Sequence, residues 1–581
     1  MRKLLVATCV LSLTGVAGAS PNLRRAPPPL PKQQAVSVTI LGTATFDLVP
    51  FSKTAGAGLD YSAIRKAPAR GISVELVTPD ELNIIATAHT NAYGVYTFEN
   101  VPGNTQMKLR MTARMLTPNF TNRVCDHALL PSGTLCNETI NDNAVYESTG
   151  PEFNSGTRLQ FVQSVNAPSG WDGTAYSGDR ESAAFAILDV AYQANQLVLS
   201  ADPKAVLPPL NFYWSAENVA QKPATPEEFN EGAIGTTYYE NNKTTDPAVV
   251  ARGIYVLGAA DDDTDEFDRN ILAREFGKYY LEHFGRDDSI GGQHDRPLTD
   301  KLDLRVAFTE GFADAFSAMV TSDPVYRDSH DVGQAKEISF DLENDVPEVA
   351  NRGWFSEGAI ASSIYDFFDA AADGADTTAL GFKPIHQAVT SLKTTPALTS
   401  IYAFANALRT KLPAAANGIA GTLLDQQISV GVDDFGSGEL LNNGGNINNL
   451  PIYASLANGI PAFVCAKGSA SEPPAGRYNR LGIRRLARFE AITGGTLVVT
   501  AEGANVAPSA AAVNPDVVVY RNGVRVGHGD QPGNSTTGMA EDEKKPKPPI
   551  VVPATGGTYV VETYHYNTNT RCIRVTATLT P

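Results

Sequence analysis

The chain has 581 residues, of which 43% are hydrophobic and 19% charged, and its formal net charge is −17. This length exceeds one compact core and predicts roughly three or four domains, with the composition of a folded protein and not of a disordered one. The negative charge argues against nucleic-acid backbone or an anionic membrane surface as a partner.

The first 35 residues predict export followed by a linker. A positively charged start and an apolar run, Leu4–Val16, precede the small-residue site Ala17–Ala19, so residues 1–19 are predicted to be a secretion signal. Residues 20–35 are rich in proline and predict a semi-rigid, extended linker. No later stretch has the length of a membrane-spanning helix. We therefore expect a secreted protein, located outside the cell, in the periplasm or at the cell surface.

Residues 36–117 predict a small β-sandwich domain. Hydrophobic and polar residues alternate around Val74 and from Met107 to Arg114, with the period of half-buried strands. Between these segments, Thr90–Phe98 resembles the turn-and-strand signature of carboxypeptidase-regulatory, transthyretin-like domains, with Gly94 at the turn. The resemblance implies a module that packs beside a hydrolase or mediates contacts and does no chemistry itself.

Residues 118–179 are rich in Gly, Ser and Asn without clear periodicity and predict a disulfide-pinned connector. Apart from Cys9 in the signal, the chain has four cysteines: Cys125, Cys136, Cys465 and Cys572. An even number in an exported chain predicts two disulfides. Of the three pairings, only Cys125–Cys136 with Cys465–Cys572 keeps each bridge within one predicted domain. A zinc site is the alternative, although the spacings contain no C-x-x-C element.

The most informative motif lies in a predicted helix, Ile271–Phe284. Its apolar stripe consists of residues four apart: Leu272, Phe276, Tyr280 and Phe284. Within this helix, Arg274-Glu275-Phe276-Gly277-Lys278 has the spacing of the zinc-peptidase motif His-Glu-x-x-His. In that motif two imidazoles one turn apart bind zinc, and the Glu acts as the base. Arg274 and Lys278 offer zinc no free lone pair, so only Glu275 of the motif is intact.

A second helix is predicted over Arg305–Ser317. Phe308, Phe312 and Phe316 recur every four residues and are expected to face the core. Glu310 falls on another side, beside small residues that would let a facing helix approach it closely.

Several segments together resemble a bacterial branch of the gluzincin metallopeptidases. They are, in chain order, Glu275, Asp288–Gly292, Asp300–Arg305, Glu310–Asp314 and Gly353–Gly358. The resemblance covers residues 180–450 and implies an α+β, mainly α, peptidase domain between two small all-β sandwich domains. In the intact family two histidines and a downstream Glu bind zinc. Carried over by position, Glu275 is the vestigial general base, and Arg274, Lys278 and Glu310 stand at the three vestigial ligand positions.

The balance of charge predicts what replaces the metal. Arg274, Lys278, Glu275 and Glu310 sum to zero charge, as do two neutral histidines, two carboxylates and a zinc ion. We hypothesise that Arg274 or Lys278 pairs with Glu310 across the two helices, which avoids an uncompensated buried carboxylate. The alternative is that both cations face solvent.

Other metal arrangements are compatible with the sequence. No two of the eight histidines are four residues apart. His294, between the two predicted helices, could turn toward Glu275 and Glu310, or it could be an ordinary hydrogen-bonded or surface histidine. The acidic run Asp261–Asp265 could bind calcium, or it could be a solvated approach to the helix. We expect no bound zinc in this chain and assign no cofactor.

Residues 451–581 predict a second β-domain. Its clearest strand patterns are Thr496–Thr500, Asp516–Tyr520 and Gly557–Tyr564, and Asn522-Gly523 predicts a hairpin turn. The last two patterns resemble the pre-peptidase C-terminal domain, a small β-module appended to secreted peptidases. Cys465 and Cys572 would join the two ends of this domain.

Three functions are compatible with the sequence. The first is a secreted pseudopeptidase, catalytically inactive and with a structural, binding or regulatory role, because the surroundings of the site are intact while its metal ligands are lost. The second is an active metal-dependent peptidase with a remodelled site. The third is an extracellular adhesion or interaction protein that acts through its β-domains. Peptides or extracellular proteins are the expected partners, and Tyr279, His294 and Glu357 are predicted to line the cleft.

Overall fold

The structure is a computed structural model that describes residues 37–130, 136, 144–243, 250–344, 347–370, 378–429, 433–440, 449–468, 478–504, 515–529, 548–565 and 569–581. The predicted secretion signal and proline-rich linker lie outside the described residues. The architecture is α+β, as the sequence predicts, with several β-sheets and a central helical region. No helix among the described residues is both long enough and apolar enough to cross a membrane.

Two five-stranded sheets form the first β-domain and contribute to one shared core. The strands of this part of the chain are β1 (Ser37–Leu48), β2 (Arg65–Pro68), β3 (Ser73–Val77), β4 (Ile84–His89), β5 (Val95–Pro102), β6 (Gln106–Thr112), β7 (Arg114–Leu116), β8 (Thr121–Asp126), β9 (Glu147–Thr149), β10 (Phe153–Asn154), β11 (Gln160–Val162) and β12 (Val165–Ala167). In one sheet β1 pairs with β2, β5, β11 and β12, and the other runs β10-β6-β3-β4 with β9 beside β6.

The alternation seen in the sequence sets which side of β6 is buried. Met107, Leu109 and Met111 lie in the core, whereas Lys108 pairs with Glu81 on the opposite side. The predicted turn before β5 also forms. Gly94 has φ +71°, and a Cβ added there would lie 2.5 Å from the Ala44 carbonyl oxygen, so this turn requires glycine.

The segment 118–179 does more than connect two domains. It contributes β8 to the sheet of the central region and β9–β12 to the two sheets of the first β-domain. The strands β9–β12 have two or three residues each and are too short to show a hydrophobic period, which is why the sequence pattern indicates only a loop there.

The central region has a mixed sheet, two small hairpins and all of the described α-helices. Its strands are β13 (Leu210–Trp214), β14 (Tyr238–Glu240), β15 (Gly253–Val256), β16 (Gly258–Ala259), β17 (Asp263–Thr264), β18 (Val325–His330) and β19 (Lys336–Asp341). Its helices are α1 (Ser182–Ala201), α2 (Pro226–Asn230), α3 (Arg269–Phe284), α4 (Leu304–Thr321), α5 (Glu357–Phe368), α6 (Phe382–Ser391), α7 (Ile401–Lys411) and α8 (Ala416–Asp425). The sheet order is β14-β15-β13-β8-β7, with β8, β13 and β15 parallel.

Helices α3, α4 and α5 pack closely because glycine stands where their backbones meet. A Cβ at Gly277 of α3 would lie 3.1 Å from the Phe316 ring of α4, and a Cβ at Gly311 of α4 would lie 2.6 Å from the Glu357 carbonyl oxygen. The predicted apolar stripes face this packing: Leu272, Phe276, Tyr280, Phe308, Phe312 and Phe316 are each fully buried, whereas Phe284 at the end of α3 is only half-buried. The polar side chains between the stripes are thereby brought together inside the protein.

The C-terminal β-domain is a seven-stranded sheet with its own core. Its strands are β20 (Tyr453–Leu456), β21 (Ala462–Ala466), β22 (Arg485–Gly503), β23 (Asp516–Arg521), β24 (Val524–His528), β25 (Ile550–Tyr564) and β26 (Arg571–Thr580). The order is β21-β26-β22-β25-β23-β24, with β20 paired to β22. Asn522 and Gly523 form the turn between β23 and β24, both with positive φ, as the sequence predicts.

Two disulfides are present, Cys125–Cys136 and Cys465–Cys572. This is the pairing that the sequence favours, so that prediction is confirmed. Structural disulfides persist in oxidising compartments, which indicates an extracellular or periplasmic protein.

A buried ion cluster joins the C-terminal β-domain to α4. Glu562 of β25 is fully buried and accepts hydrogen bonds from Arg305 at the start of α4, at 2.8 Å and 3.2 Å, and from Arg484 at 2.8 Å. Asp303 holds the other edge of the Arg305 guanidinium. The positive charges of Arg305 and Arg484 outweigh the effect of burial and hold the pKa of Glu562 below its usual range. The two domains are therefore docked through compensated charge.

Candidate functional site

Three helices and one loop bring the candidate site residues together. Asp268, Asp303 and Ser356 stand at the N-cap positions of α3, α4 and α5, and the side chains of Asp303 and Ser356 accept backbone N–H groups of their own helices. Each helix then presents polar groups to the shared interior. These are Arg274, Glu275 and Lys278 on α3, Glu310 and Asp314 on α4, and Glu357 on α5; His294 comes from the loop between α3 and α4.

Arg274 is the centre of this cluster. Its Nη2 donates to Glu310 Oε2 at 2.6 Å and to Glu357 Oε1 at 3.2 Å, and its Nε donates to Asp314 Oδ1 at 2.6 Å. Nη1 donates to the neighbouring Glu275 Oε1 at 3.0 Å. One guanidinium thus contacts four carboxylates on three helices, which its planar fork of donors makes geometrically feasible.

Lys278 completes the pairing one turn further along α3. Its Nζ lies 2.9 Å from Glu310 Oε2 and 3.0 Å from Glu275 Oε1. Both cations therefore contact Glu310, and they do so inside the protein: Glu310 is 5% exposed and Arg274 7%. Glu275 is held from its other side by the backbone N–H of Tyr239, which donates to Oε2 at 2.8 Å.

His294 reaches the same carboxylates from the loop. Its Nδ1 lies 3.3 Å from Glu357 Oε2 and its Nε2 lies 3.6 Å from Glu310 Oε2. Burial disfavours the imidazolium, but the charges of Glu310 and Glu357 outweigh this effect and raise the pKa of His294. The side chain is 23% exposed, so this is the edge of the cluster nearest to solvent.

The cluster carries more negative charge than Arg274, Lys278, Glu275 and Glu310 alone, which sum to zero. Asp314 and Glu357 join Glu275 and Glu310, so four carboxylates face Arg274 and Lys278 and leave a formal charge of −2 before His294 is protonated. Burial raises the pKa of Asp314 to about 7, although Arg274 opposes the shift. Burial also opposes the charge of Glu310, but His294, Lys278 and Arg274 outweigh it and hold the pKa of Glu310 below its usual range. Protons on His294 and Asp314 would bring the cluster to neutrality.

The arrangement does not fit a zinc ion at the ligand positions. One ligand atom each from His294, Glu310 and Glu357 lies within 4.8 Å of the others, which is close enough for a shared ion. Glu310 Oε2, however, already accepts from Arg274 and lies beside Lys278, so a divalent cation there would be repelled by both. Burial opposes the charge of Lys278, yet Glu275 and Glu310 raise its pKa, so the ammonium has no lone pair to offer. The site is built to hold protein cations.

The structure corrects the predicted cleft. Tyr279 is 1% exposed, and its hydroxyl donates to the Pro208 carbonyl oxygen, so it belongs to the core and lines no cleft. Its ring packs edge-on against Phe276 and Tyr239 because this side of α3 is covered by the sheet. Glu357, at 2% exposure, lies in the ion cluster instead of on a cleft wall.

Sequence reasoning missed one member of the cluster. Asp314 lies four residues after Glu310 and therefore on the same face of α4, and this spacing was the signal that could have identified it. The contacts of His294 and Glu357 depend on how α5 and the loop between α3 and α4 pack in the folded protein. No local sequence pattern indicates that packing.

The chain matches no protein-family model, and no curated protein matches it significantly. The C-terminal β-domain is similar to the pre-peptidase C-terminal domain of a collagenase from Bacillus anthracis, with 9% sequence identity and a TM-score of 0.14 over 22% of this chain and 93% of that one. A candidate carbohydrate-binding protein from Pseudomonas aeruginosa matches at 11% identity, covering 23% of this chain and 90% of that one, with a TM-score of 0.13. The periplasmic g-type lysozyme inhibitor PliG from Aeromonas hydrophila matches at 12%, covering 22% and 96%, also with a TM-score of 0.13. TM-scores this far below 0.5 carry no argument about function.

Proposed function

We propose that this chain is a secreted, catalytically inactive relative of the gluzincin metallopeptidases, in which the metal site has become a structural ion cluster. The observation that carries the proposal is the placement of Arg274 Nη2 and Lys278 Nζ at 2.6 Å and 2.9 Å from Glu310 Oε2. These two cationic nitrogens contact the carboxylate oxygen that would bind zinc in the family that the sequence resembles.

The chemistry of the remaining groups supports an inactive site. In a zinc peptidase the metal polarises the carbonyl and lowers the pKa of a bound water, effects that contribute several kcal/mol to the reaction. Glu275 would have to act as base without such a water, and its two carboxylate oxygens are already engaged by Arg274, Lys278 and the Tyr239 amide. What the cluster does well is to hold α3, α4, α5 and the His294 loop in one arrangement.

Metal analysis of the purified mature protein tests the proposal directly. We expect far less than one zinc per chain after exposure to zinc and gel filtration, and no cleavage of casein or of a peptide library. One bound zinc per unmodified chain, together with cleavage that a chelator abolishes, would overturn the proposal and favour the active peptidase with a remodelled site.

A restored ligand set tests whether the scaffold retains the ancestral geometry. The double variant Arg274→His/Lys278→His places two imidazoles one turn apart, facing Glu310, and is expected to bind one zinc ion. The matched control is Arg274→Gln/Lys278→Gln, which removes the same two charges without supplying imidazoles. If the histidine variant is folded and binds no more zinc than the glutamine variant, the inference of a lost gluzincin site is wrong.

A further inference from the structure

A second acidic cluster lies at the N-terminal end of α3. Asp263 is on β17, Asp265 lies in the turn that follows, Asp268 is the N-cap residue of α3, and Asp328 is on β18. The acidic run of the sequence therefore divides: Asp261 is solvent-exposed, whereas Asp265 is 2% exposed. A uniformly solvated approach to the helix does not describe this segment.

The carboxylates of this cluster converge. One oxygen each from Asp263, Asp265 and Asp328 lies within 4.8 Å of the other two. The Oδ2 of Asp265 is held by the Thr237 hydroxyl, and the Oδ2 of Asp268 accepts from the backbone and hydroxyl of Ser329. These bonds fix the carboxylates in place and leave a second oxygen on each.

Those second oxygens have no protein partner. Oδ1 of Asp263, Asp265 and Asp268 is buried without a hydrogen bond. Buried polar atoms are nearly always satisfied, and an unsatisfied carboxylate oxygen is among the most costly exceptions. Three such atoms within six residues of sequence indicate that something outside the protein meets them.

In the part of the chain that the structure describes, no cation pairs directly with these carboxylates. Among the described residues, no Lys, Arg or His forms an ion pair with any of the four aspartates, whereas the adjacent Glu266 is paired with Arg180. Arg274 acts on Asp328 only at longer range, because its own donors contact the first cluster. Glu266 therefore has a cationic partner, whereas none of the four aspartates forms an ion pair with a described residue.

The effect on the acids is consistent with this geometry. Burial, and then the charges of Asp328 and Asp262, raise the pKa of Asp263 to about 8. Burial and repulsion among the cluster likewise raise the pKa of Asp265 and Asp268 well above the usual value. The site attracts positive charge of either kind, protons or a cation.

We propose that Asp263, Asp265 and Asp328 bind a calcium ion, with Asp268 adding negative charge behind it. All the donors are carboxylate oxygens, which hard cations prefer, and no His or Cys ligand is offered to zinc or copper. Calcium accepts irregular oxygen shells, whereas magnesium demands near-octahedral geometry and keeps most of its waters. Asp263 and Asp328 are each partly exposed, so an ion can enter and water can complete its coordination.

A calcium titration of the full chain tests the existence of the site. The chain is first stripped with EGTA, and melting is then followed with calcium chloride or magnesium chloride added to about 10 mM at about pH 7.5. For a site of the strength found in extracellular modules, calcium should raise the melting temperature by about 5 °C and magnesium by much less. Isothermal titration with calcium alone should give one site per chain. No shift and no heat with calcium, or an equal response to magnesium, would overturn the proposal.

Three variants test the location. Asp265→Asn and Asp328→Asn each remove one ligand charge, and Asp261→Asn removes an exposed charge from the same run as the matched control. In EGTA the two ligand variants should melt no lower than the unmodified chain, because each removes an acid whose charged form is disfavoured by burial and by its acidic neighbours; in calcium they should lose most of the rise that the control retains. A purely structural role would instead lower the melting temperature in both conditions. If either ligand variant keeps the full calcium response, the ion binds elsewhere and the assignment is wrong.

Discussion

Replacing Glu310 with Gln tests how much the ion cluster contributes to stability. The substitution keeps the shape of the side chain and removes the charge that Arg274 and Lys278 share. It leaves Arg274 with Asp314, Glu275 and Glu357, and leaves Lys278 with Glu275 alone. The cations remain buried with one carboxylate fewer.

The expected magnitude follows from that loss. Removing one partner of a buried ion pair costs about 3–5 kcal/mol, because the other partner is left uncompensated. Arg274 retains three carboxylates, and the Gln carbonyl can still accept one hydrogen bond, so we expect a somewhat smaller cost, about 2–4 kcal/mol. For a domain of this size that corresponds to a fall in melting temperature of about 5–15 °C.

Differential scanning calorimetry of the full chain, with and without the substitution, measures this difference. The matched control is Glu502→Gln, which removes the carboxylate partner of Arg574 at the surface, where the two side chains are 58% and 48% exposed. An exposed pair contributes about 0–1 kcal/mol, so the control should melt within about 2 °C of the unmodified chain. If Glu310→Gln melts as the control does, the cluster is not a stabilising structural element, and the reasoning from charge compensation fails.

The docking of the C-terminal β-domain and the pH dependence of stability give two further tests. Glu562→Gln leaves Arg305 and Arg484 without their shared buried carboxylate and should lower the free energy of unfolding by about 3–5 kcal/mol. We expect a lower melting temperature and faster limited proteolysis than for Glu502→Gln. Equal behaviour of the two variants would contradict the docking role. Burial raises the pKa of Asp314 from 3.8 to about 7, and the charges of Glu310 and Glu357 overcome burial to raise that of His294 above 6.5, so the folded state binds both protons more tightly than the unfolded state does. The stability that these protons provide is present at low pH and is lost as pH rises, for Asp314 between about 4 and 7 and for His294 above about 6.5. Melting temperature should therefore fall as pH rises from about 4 through neutral pH, and the part of the fall above about pH 6.5 should be smaller in His294→Gln; an identical fall in both chains would show that His294 does not titrate in this cluster.

The sequence anticipates the arrangement around α3 because two periodicities act on residues that are close in the chain. The i,i+4 spacing of Arg274 and Lys278 puts them on one face, and the Phe308–Phe316 stripe fixes which side of α4 is left for Glu310. The charge balance then indicates which side chains should meet. These rules need only the two helices and the assumption that their apolar stripes share a core.

The same rules do not predict side chains that enter the cluster from elements distant in the sequence. Glu357 enters the cluster because α5 crosses α4 at Gly311, where the Glu357 carbonyl leaves no room for a Cβ. Tyr279 was expected at a cleft by fold analogy, yet the sheet covers that side of α3 and buries it. A helix that is buried on most of its surface carries no sequence signal that separates a core position from a binding-site wall.

The two acidic clusters near α3 differ in how their charge is compensated, and this difference separates the two proposals. In the first, Arg274 and Lys278 contact the carboxylates of α3, α4 and α5, and protons on His294 and Asp314 would supply the rest of the compensation. Those donors are consequently not free for Asp263, Asp265 and Asp328, whose compensation has to come from protons or from a dissolved cation. Oδ1 of Asp263 and of Asp265 is buried and accepts no hydrogen bond from the protein. The proposed calcium ion would compensate this charge and meet the free oxygens of Asp263 and Asp265, and calcium is abundant in the oxidising compartments outside the cytoplasm. The proposed replacement of a metal by protein cations at one end of α3 thus does not predict the absence of metal at the other.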